Sequence, residues 1–81
     1  MSTIGDRIKL KRKELGLTQA ELGAKINVTD RAVSKWEQNE GNPDMSLIAD
    51  LAKVLGVTLD YLILGKEPEE RIIIKTPKEM L

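Results

Sequence analysis

The chain has 81 residues, of which 41% are hydrophobic, and it carries 13 basic and 13 acidic side chains but neither Cys nor His. A chain of this size builds one small core. The missing residue types exclude disulfides, thiolate or imidazole metal sites, and nucleophilic chemistry that depends on Cys or on a Ser–His pair. We therefore expect no enzyme, no cofactor and no metal.

The distribution of apolar and charged residues indicates a protein that works in the cytoplasm. No apolar run reaches the roughly 20 residues of a membrane span, and the N-terminus lacks the basic-then-apolar order of a signal peptide. The zero net charge is uneven, because residues 1–40 carry eight Lys or Arg against six Asp or Glu, and residues 41–81 carry five against seven. The sharpest basic run, Lys9–Lys13, is typical of a solvated helix face.

Apolar residues at helical spacing predict a first amphipathic helix. Ile4, Ile8 and Leu15 form its periodic side, and Gly16 follows as a glycine that ends the helix. Arg12 lies one turn beyond Ile8. We therefore expect Arg12 to point inward.

The second predicted helix opens at a capping box. Thr18 and Glu21 have the spacing in which each side chain accepts the other residue's backbone N–H. Gly23 lies inside this helix, where glycine costs about 1 kcal/mol relative to alanine, so we expect another backbone to approach there. Asn27 tolerates the left-handed conformation and makes the corner that ends the helix.

The third predicted helix starts with Thr29 as its N-cap and runs to about Gln38. Val33 and Trp36 face inward on it, which favours a core role for the tryptophan over a base-stacking role. Asn39 provides a second left-handed stop.

Two further short helices complete an all-α domain over residues 1–65. Ser46 is the predicted N-cap of the fourth helix and Gly56 its end, while Thr58 caps the fifth helix before Gly65. The apolar residues of these two helices are Leu47, Ile48, Leu51, Ala52, Leu55, Leu59, Leu62 and Ile63.

Residues 66–81 form a C-terminal extension of different composition. Three consecutive isoleucines within Arg71–Lys75 predict a β-strand, and Pro68 and Pro77 flank it. An isolated strand is unstable. We expect this strand either to pair with its copy in a second chain, to cover the domain, or to lead into a further domain, and we favour the first.

The second and third helices, joined at Ile26–Val28, have the lengths and spacing of a helix-turn-helix. Such pairs also occur as plain structure. The outward face of the third helix carries polar and cationic groups, namely Thr29, Asp30, Arg31, Ser34 and Lys35. Arg donates two hydrogen bonds to guanine, Lys binds guanine or phosphate, and Ser or Thr serves either. This face therefore favours DNA binding.

The stretches LGLTQAELGAKINVTDRAVSKWEQNEGNP and LGVTLDYLILG resemble the lambda-type repressors, the Cro proteins and the bacterial Xre regulators. The family's shared pattern is Leu-Thr-Gln, Glu-Leu-Ala, a corner Gly, a capping Ser or Thr, then Ser-Lys-Trp-Glu and a downstream Pro. The resemblance covers about residues 3–65. It implies a five-helix lambda-repressor-like fold and a prokaryotic or phage transcriptional regulator. It also implies sequence-specific binding in the major groove of double-stranded DNA, usually as a two-fold homodimer. We favour a repressor on a pseudo-palindromic operator, although the sequence does not distinguish a repressor from an activator.

The resemblance also implies roles for individual residues. The positions that match DNA-binding residues are Gln19, Thr29, Asp30, Arg31, Ser34, Lys35 and Asn39. Among them, Gln19 matches a glutamine that holds a DNA phosphate at the positive end of the second helix. Arg12 and Glu37 match a pair that forms a largely buried salt bridge between the first and third helices.

The sequence departs from the family pattern in three ways, and the acidic residues Asp30 and Glu40 are the most serious departure, because an acidic residue near a phosphate backbone opposes binding. Asn27 and Asn39 stand where the family favours Gly, and Gly23 where it favours Ala. Asp30 either accepts a hydrogen bond from a cytosine amino group or stabilises the first turn through the helix dipole. The same fold also serves as a protein-interaction module, with the apolar extension as its docking element. The sequence indicates no small-molecule pocket, and it names neither the operator nor an inducing signal.

Overall fold

The computed structural model describes residues 2–67, which form an all-α domain of five helices. The helices are α1 (Ile4–Glu14), α2 (Gln19–Ile26), α3 (Asp30–Glu37), α4 (Met45–Leu55) and α5 (Leu59–Leu64). The predicted fold class is thus confirmed. The strand predicted at Arg71–Lys75 lies outside the described residues. Within residues 2–67, every helix is too short or too polar to cross a lipid bilayer.

Each described helix begins at a residue whose side chain accepts a backbone N–H from the first turn. Thr3, Thr18, Thr29, Asp44 and Thr58 are these N-caps. The capping box predicted at Thr18 is present, and a second one begins α1. Because the first-turn N–H groups have no partner inside their own helix, these caps determine where each helix starts.

The start of α4 differs from the sequence prediction. Asp44, not Ser46, is the N-cap, because its Oδ1 accepts from the Leu47 N–H at 3.0 Å. Ser46 lies within the first turn and donates its hydroxyl to the same Oδ1 at 2.8 Å. The Asp44 carboxylate, two residues before Ser46, therefore accepts the first-turn N–H in place of the Ser46 hydroxyl.

The core takes one fully buried side chain from each helix. These side chains are Ile8, Leu22, Val33, Leu51 and Leu62. Around them α3 packs against α1 and α2, while α5 packs against α1 and α4. The second helix of the predicted helix-turn-helix is thus held on two sides.

The aromatic residues belong to this core. Trp36 and Tyr61 are each 7% exposed, so the inward orientation predicted for the tryptophan is confirmed. By contrast, Leu15, Leu59 and Ile63 are 52%, 42% and 40% exposed, although their spacing placed them on apolar faces. Leu15 lies just beyond the end of α1, and α5 is too short to bury more than one side.

Gly5 allows α1 to approach the end of α3 at backbone distance. A methyl group built on Gly5 would overlap the carbonyl oxygen of Trp36. No other residue type fits between the two helices without moving one of them. This glycine could not be recognised as a contact from the sequence, because the local pattern around it contains no sign of a contact with residue 36.

The alanine substitution of Gly5 tests this close approach. We expect Gly5→Ala to lower the free energy of unfolding by about 1 to 3 kcal/mol, because an added methyl in a packed contact forces the helices apart. Chemical denaturation measures the loss. The matched control is Gly41→Ala, whose new methyl would meet nothing within 4 Å. It should change stability by less than about 0.5 kcal/mol. Equal effects of the two substitutions would contradict the close approach.

The N-cap of α4 makes part of the stability dependent on pH. Hydrogen bonds from the Leu47 N–H and from Ser46 lower the pKa of Asp44 below its ordinary value. A lowered folded pKa contributes stability that is complete above the unfolded pKa of about 4 and is lost as the pH falls through the folded pKa.

Asp44→Asn keeps an oxygen at the N-cap but cannot titrate. We therefore expect the wild type to exceed Asp44→Asn in melting temperature near neutral pH, and this difference to shrink as the pH falls below about 4. Thermal unfolding followed by circular dichroism across this range measures both proteins. A difference that stays constant into strong acid would show that the carboxylate charge contributes nothing at this cap.

Candidate nucleic-acid interface

The corner between α2 and α3 sets the geometry of the candidate interface. Asn27 adopts the left-handed conformation, with φ of 66°, and the Val28 N–H donates to the Gly23 carbonyl at 2.8 Å. A methyl group on Gly23 would lie 2.6 Å from the Val28 carbonyl oxygen. The close backbone approach predicted at Gly23 is thus confirmed, and the approaching backbone is that of the turn itself.

The outward face of α3 carries the residues that the sequence analysis proposed for base contacts. Thr29, Asp30, Arg31 and Lys35 are exposed, and Ser34 is half-buried. Val33, Trp36 and Glu37 form the opposite, buried side of the same helix. Because the inner side is locked into the core, the outer groups are presented on a fixed frame.

Two of these groups also have structural roles. The Thr29 hydroxyl accepts from the Ala32 N–H at 3.1 Å and so caps α3. The Ser34 hydroxyl accepts from the Gln38 side-chain amide at 2.8 Å, which leaves its own proton free to donate. Arg31 and Lys35 are the long cationic groups of this face, and no salt bridge within residues 2–67 involves either of them.

Arg12 and Glu37 form a buried ion pair behind the interface. The guanidinium donates to both carboxylate oxygens, with Nε to Oε2 at 2.7 Å and Nη2 to Oε1 at 2.9 Å. The two side chains are only 9% and 3% exposed. A third donor, Nη1, reaches the Leu17 carbonyl at 2.8 Å. The carboxylate raises the pKa of Arg12 above its ordinary value, chiefly through the hydrogen bond between them, so the guanidinium remains charged.

Gln19 joins this pair at the first residue of α2. Its Nε2 donates to Glu37 Oε1 at 3.0 Å, and its side chain is half-buried. Gln19 lies at the start of the second helix, as the sequence predicted, but its contact with Glu37 was not predicted. The 18-residue separation offers no local signal for it.

Asn39 lies at the left-handed stop after α3, with φ of 62°. Its Oδ1 accepts from the Thr3 hydroxyl at 2.7 Å, which ties it to the start of α1. The Nδ2 group of Asn39 makes no hydrogen bond within residues 2–67. The structure therefore places Asn39 beside α1, with its amide donors available to a further partner.

Arg7 is a buried charge that the sequence analysis missed. It is 7% exposed and donates from Nε to the Leu62 carbonyl at 2.9 Å and from Nη2 to the Ile63 carbonyl at 3.1 Å. A cation at the carbonyl end of α5 is favoured by the helix dipole and by the free carbonyls there. Its position three residues after Ile4 was the available signal, because that spacing puts it on the inward side of α1.

The buried arginines reduce the charge that the front half of the chain presents to a partner. Of its eight basic residues, Arg7 and Arg12 point into the domain. Lys11 bonds Glu14 at 3.3 Å and lies 5.1 Å from the Tyr61 ring centre. Six of the eight basic residues therefore remain outside the core, and Arg31 and Lys35 on α3 are two of them.

Comparison with known proteins identifies the family. A model of the helix-turn-helix family matches residues 8–62. The chain belongs to this helix-turn-helix family. The match covers all of α2 to α4, the corner at Asn27 and both partners of the buried ion pair.

Individual relatives of this helix-turn-helix protein are regulators. The chain is 39% identical over 62 residues to the repressor protein C2 of Salmonella phage P22. This alignment covers 76% of this chain and 29% of the relative. The chain is also 32% identical over 84 residues to the transcriptional regulator DicA of Escherichia coli. This alignment covers 96% of this chain and 62% of the relative. The chain thus spans less than two thirds of the length of both curated relatives.

A solved structure agrees with the arrangement of the helices. The crystal structure of the P22 c2 repressor in complex with a synthetic operator matches with a TM-score of 0.78 at 36% identity. The alignment covers 82% of this chain and 100% of that chain. The helix-turn-helix domain of this chain therefore has the fold of a domain that has been crystallised on DNA.

The ion pair of this helix-turn-helix domain allows a test by single and paired replacement. We expect Arg12→Met alone, or Glu37→Leu alone, to lower the free energy of unfolding by about 3 to 5 kcal/mol, because each leaves the other charge buried without its partner. The combined variant Arg12→Met/Glu37→Leu should lie near the wild type, since two apolar side chains of similar volume carry no desolvation penalty. Urea denaturation of the four proteins measures this cycle. Additive losses in the combined variant would contradict a tightly coupled pair.

Proposed function

We propose that this protein is a transcriptional repressor that binds double-stranded DNA sequence-specifically, with α3 in the major groove. The observation that supports the proposal is that α3 has one side buried in the core and an opposite side with two exposed cationic groups, Arg31 and Lys35. A major groove admits one α-helix, and its base edges are read by side chains of these types. The repressor and regulator relatives support the same assignment.

The outer residues of α3 divide the work of recognition. Arg31 in the first turn suits a guanine, to which it donates two hydrogen bonds, and Lys35 one turn later suits guanine or phosphate. Thr29 and Ser34 supply shorter hydroxyl groups. Asp30 either accepts from a cytosine amino group or stabilises the first turn, where the helix dipole favours an anion.

Phosphate contacts would hold the domain in register on the duplex. Gln19 lies at the first residue of α2, where backbone N–H groups lack partners inside the helix and the dipole attracts anions. Asn39, just beyond the C-terminal end of α3, also has amide donors. These neutral contacts fix orientation without adding net charge, so binding depends on local geometry more than on long-range attraction.

The proposal includes a homodimer on a pseudo-palindromic operator, with half-sites about 34 Å apart. Three apolar side chains of α5 support it, because Leu59, Ile63 and Leu64 are 42%, 40% and 63% exposed. Leu59 and Ile63 are one helical turn apart, and exposed apolar side chains on a small domain favour an interaction site. The extension begins at residue 66, just after the C-terminal end of α5 where Ile63 and Leu64 lie. An intersubunit strand at Arg71–Lys75 is part of this proposal.

Selection from a randomised pool of DNA duplexes at near-physiological salt tests the function. We expect the wild type to enrich a two-fold symmetric motif. Arg31→Ala should lose information at one base position in each half-site, at a cost of about 1 to 3 kcal/mol, because the bidentate contact to one base is removed. Lys53→Ala on α4 is the matched control, since it also removes an exposed positive charge, but away from α3.

The outcomes separate the parts of the proposal. Enrichment of a single half-site would contradict the homodimer but keep sequence-specific binding. Equal loss in Arg31→Ala and Lys53→Ala would show that Arg31 reads no base. Failure of the wild type to enrich any motif would overturn the proposed function and favour the protein-interaction module.

A further inference from the structure

The hydrogen bond between Gln19 and Glu37 connects the candidate phosphate contact to the buried ion pair. Glu37 is held by two hydrogen bonds from Arg12, and its side chain is 3% exposed. Gln19 Nε2 approaches the same carboxylate at 3.0 Å from the partly exposed side. The carboxylate is therefore a rigid acceptor for a side chain that would otherwise be free to rotate.

The chemistry of the two groups determines which way the glutamine amide faces. A carboxylate only accepts hydrogen bonds, whereas a glutamine amide has two donor protons on nitrogen and an acceptor oxygen. Glu37 therefore selects the nitrogen of Gln19. One proton of Nε2 is taken by Oε1, and the second remains available for another acceptor.

We propose that Glu37 is a positioning residue for DNA binding, and that the carboxylate held by Arg12 orients the Gln19 amide as a donor toward a phosphate. The inference rests on the proposed function, in which Gln19 contacts the DNA backbone. Arg12 neutralises Glu37, so the acceptor orients the glutamine without repelling the phosphate that the glutamine binds.

The ion pair does not need Gln19 for its own stability. Arg12 already occupies both carboxylate oxygens, and its third donor is satisfied by the Leu17 carbonyl. The contact with Gln19 is therefore extra to a satisfied pair. Its effect is to order a long side chain before DNA arrives, which reduces the entropy that binding must remove.

A double-mutant cycle on DNA affinity tests the inference. The proteins are the full chain as wild type, Gln19→Ala, Arg12→Met/Glu37→Leu and the combination of all three. Their dissociation constants are measured by fluorescence anisotropy on the duplex that the wild type selects, and thermal unfolding verifies that each is folded. We expect Gln19→Ala to weaken binding between about twofold and about tenfold in the wild type, and less than about twofold without the pair.

Two further readouts separate positioning from stability. The side-chain amide signals of Gln19 in nitrogen-edited NMR should show a restrained group in the wild type and a freely rotating one without the pair. The slope of log affinity against log salt should be the same in the wild type and in Arg12→Met/Glu37→Leu, because the ion pair is neutral as a unit. A slope smaller by about 0.9 would mean that Arg12 itself neutralises a phosphate, and would overturn the positioning role.

Glu37→Gln covers the case in which the paired replacement does not fold. It keeps the shape of Glu37 but leaves one acceptor oxygen, which the charged Arg12 takes in preference to Gln19. The effect of Gln19→Ala should therefore shrink in this background too. An equal effect of Gln19→Ala with Glu37 and with Gln at this position would overturn the inference.

The outcomes distinguish the two proposals. If Arg31→Ala changes the selected motif while Gln19→Ala costs the same in every background, the positioning role fails and the proposed function stands. If the wild type selects no DNA, both fail.

Discussion

The buried pair of Arg12 and Glu37 links the first three helices through hydrogen bonds of defined direction. Arg12 comes from α1, Glu37 from the last turn of α3, and the third guanidinium donor reaches the segment that leads into α2. An eight-residue helix such as α3 is not stable in isolation. Its orientation therefore depends on anchors at its end and along its inner side, and this pair is the anchor with a defined direction.

Close backbone contacts complete the frame that the ion pair orients. Gly23 lets the turn pass beside α2, and Gly5 lets α1 approach the carbonyl of Trp36. Helices brought this near leave little freedom to shift relative to one another, because protein interiors resist small changes of volume. The outer side chains of α3 are consequently displayed on a rigid element, which is what reading base edges requires.

The distribution of charge is decided by which cations are buried. Arg7 holds the carbonyl end of α5, and Arg12 holds Glu37, so neither contributes to an exposed basic surface. In a chain with no net charge, the proposed contacts with DNA therefore depend on individual exposed side chains. The affinity of the proposed complex would then depend on how accurately individual side chains are positioned. The Gln19 side chain, which Glu37 orients, is one of them.

The sequence by itself determined the helices, their caps and stops, and the helix-turn-helix, because these depend on interactions between residues three or four apart. The capping box at Thr18, the left-handed Asn27 and the inward Trp36 are of this kind. The cap of α4 was misplaced by two residues, since Asp44 and Ser46 are both good caps and only the geometry chooses between them.

Only the tertiary structure decided the contacts between distant segments. Arg7 meets the Leu62 carbonyl across 55 residues, Thr3 meets Asn39 across 36, and Gln19 meets Glu37 across 18. Such contacts depend on the distance and angle at which packed helices approach each other, and no local pattern encodes either quantity. The sequence thus determined which residues α3 presents, and the packing decided how firmly they are held.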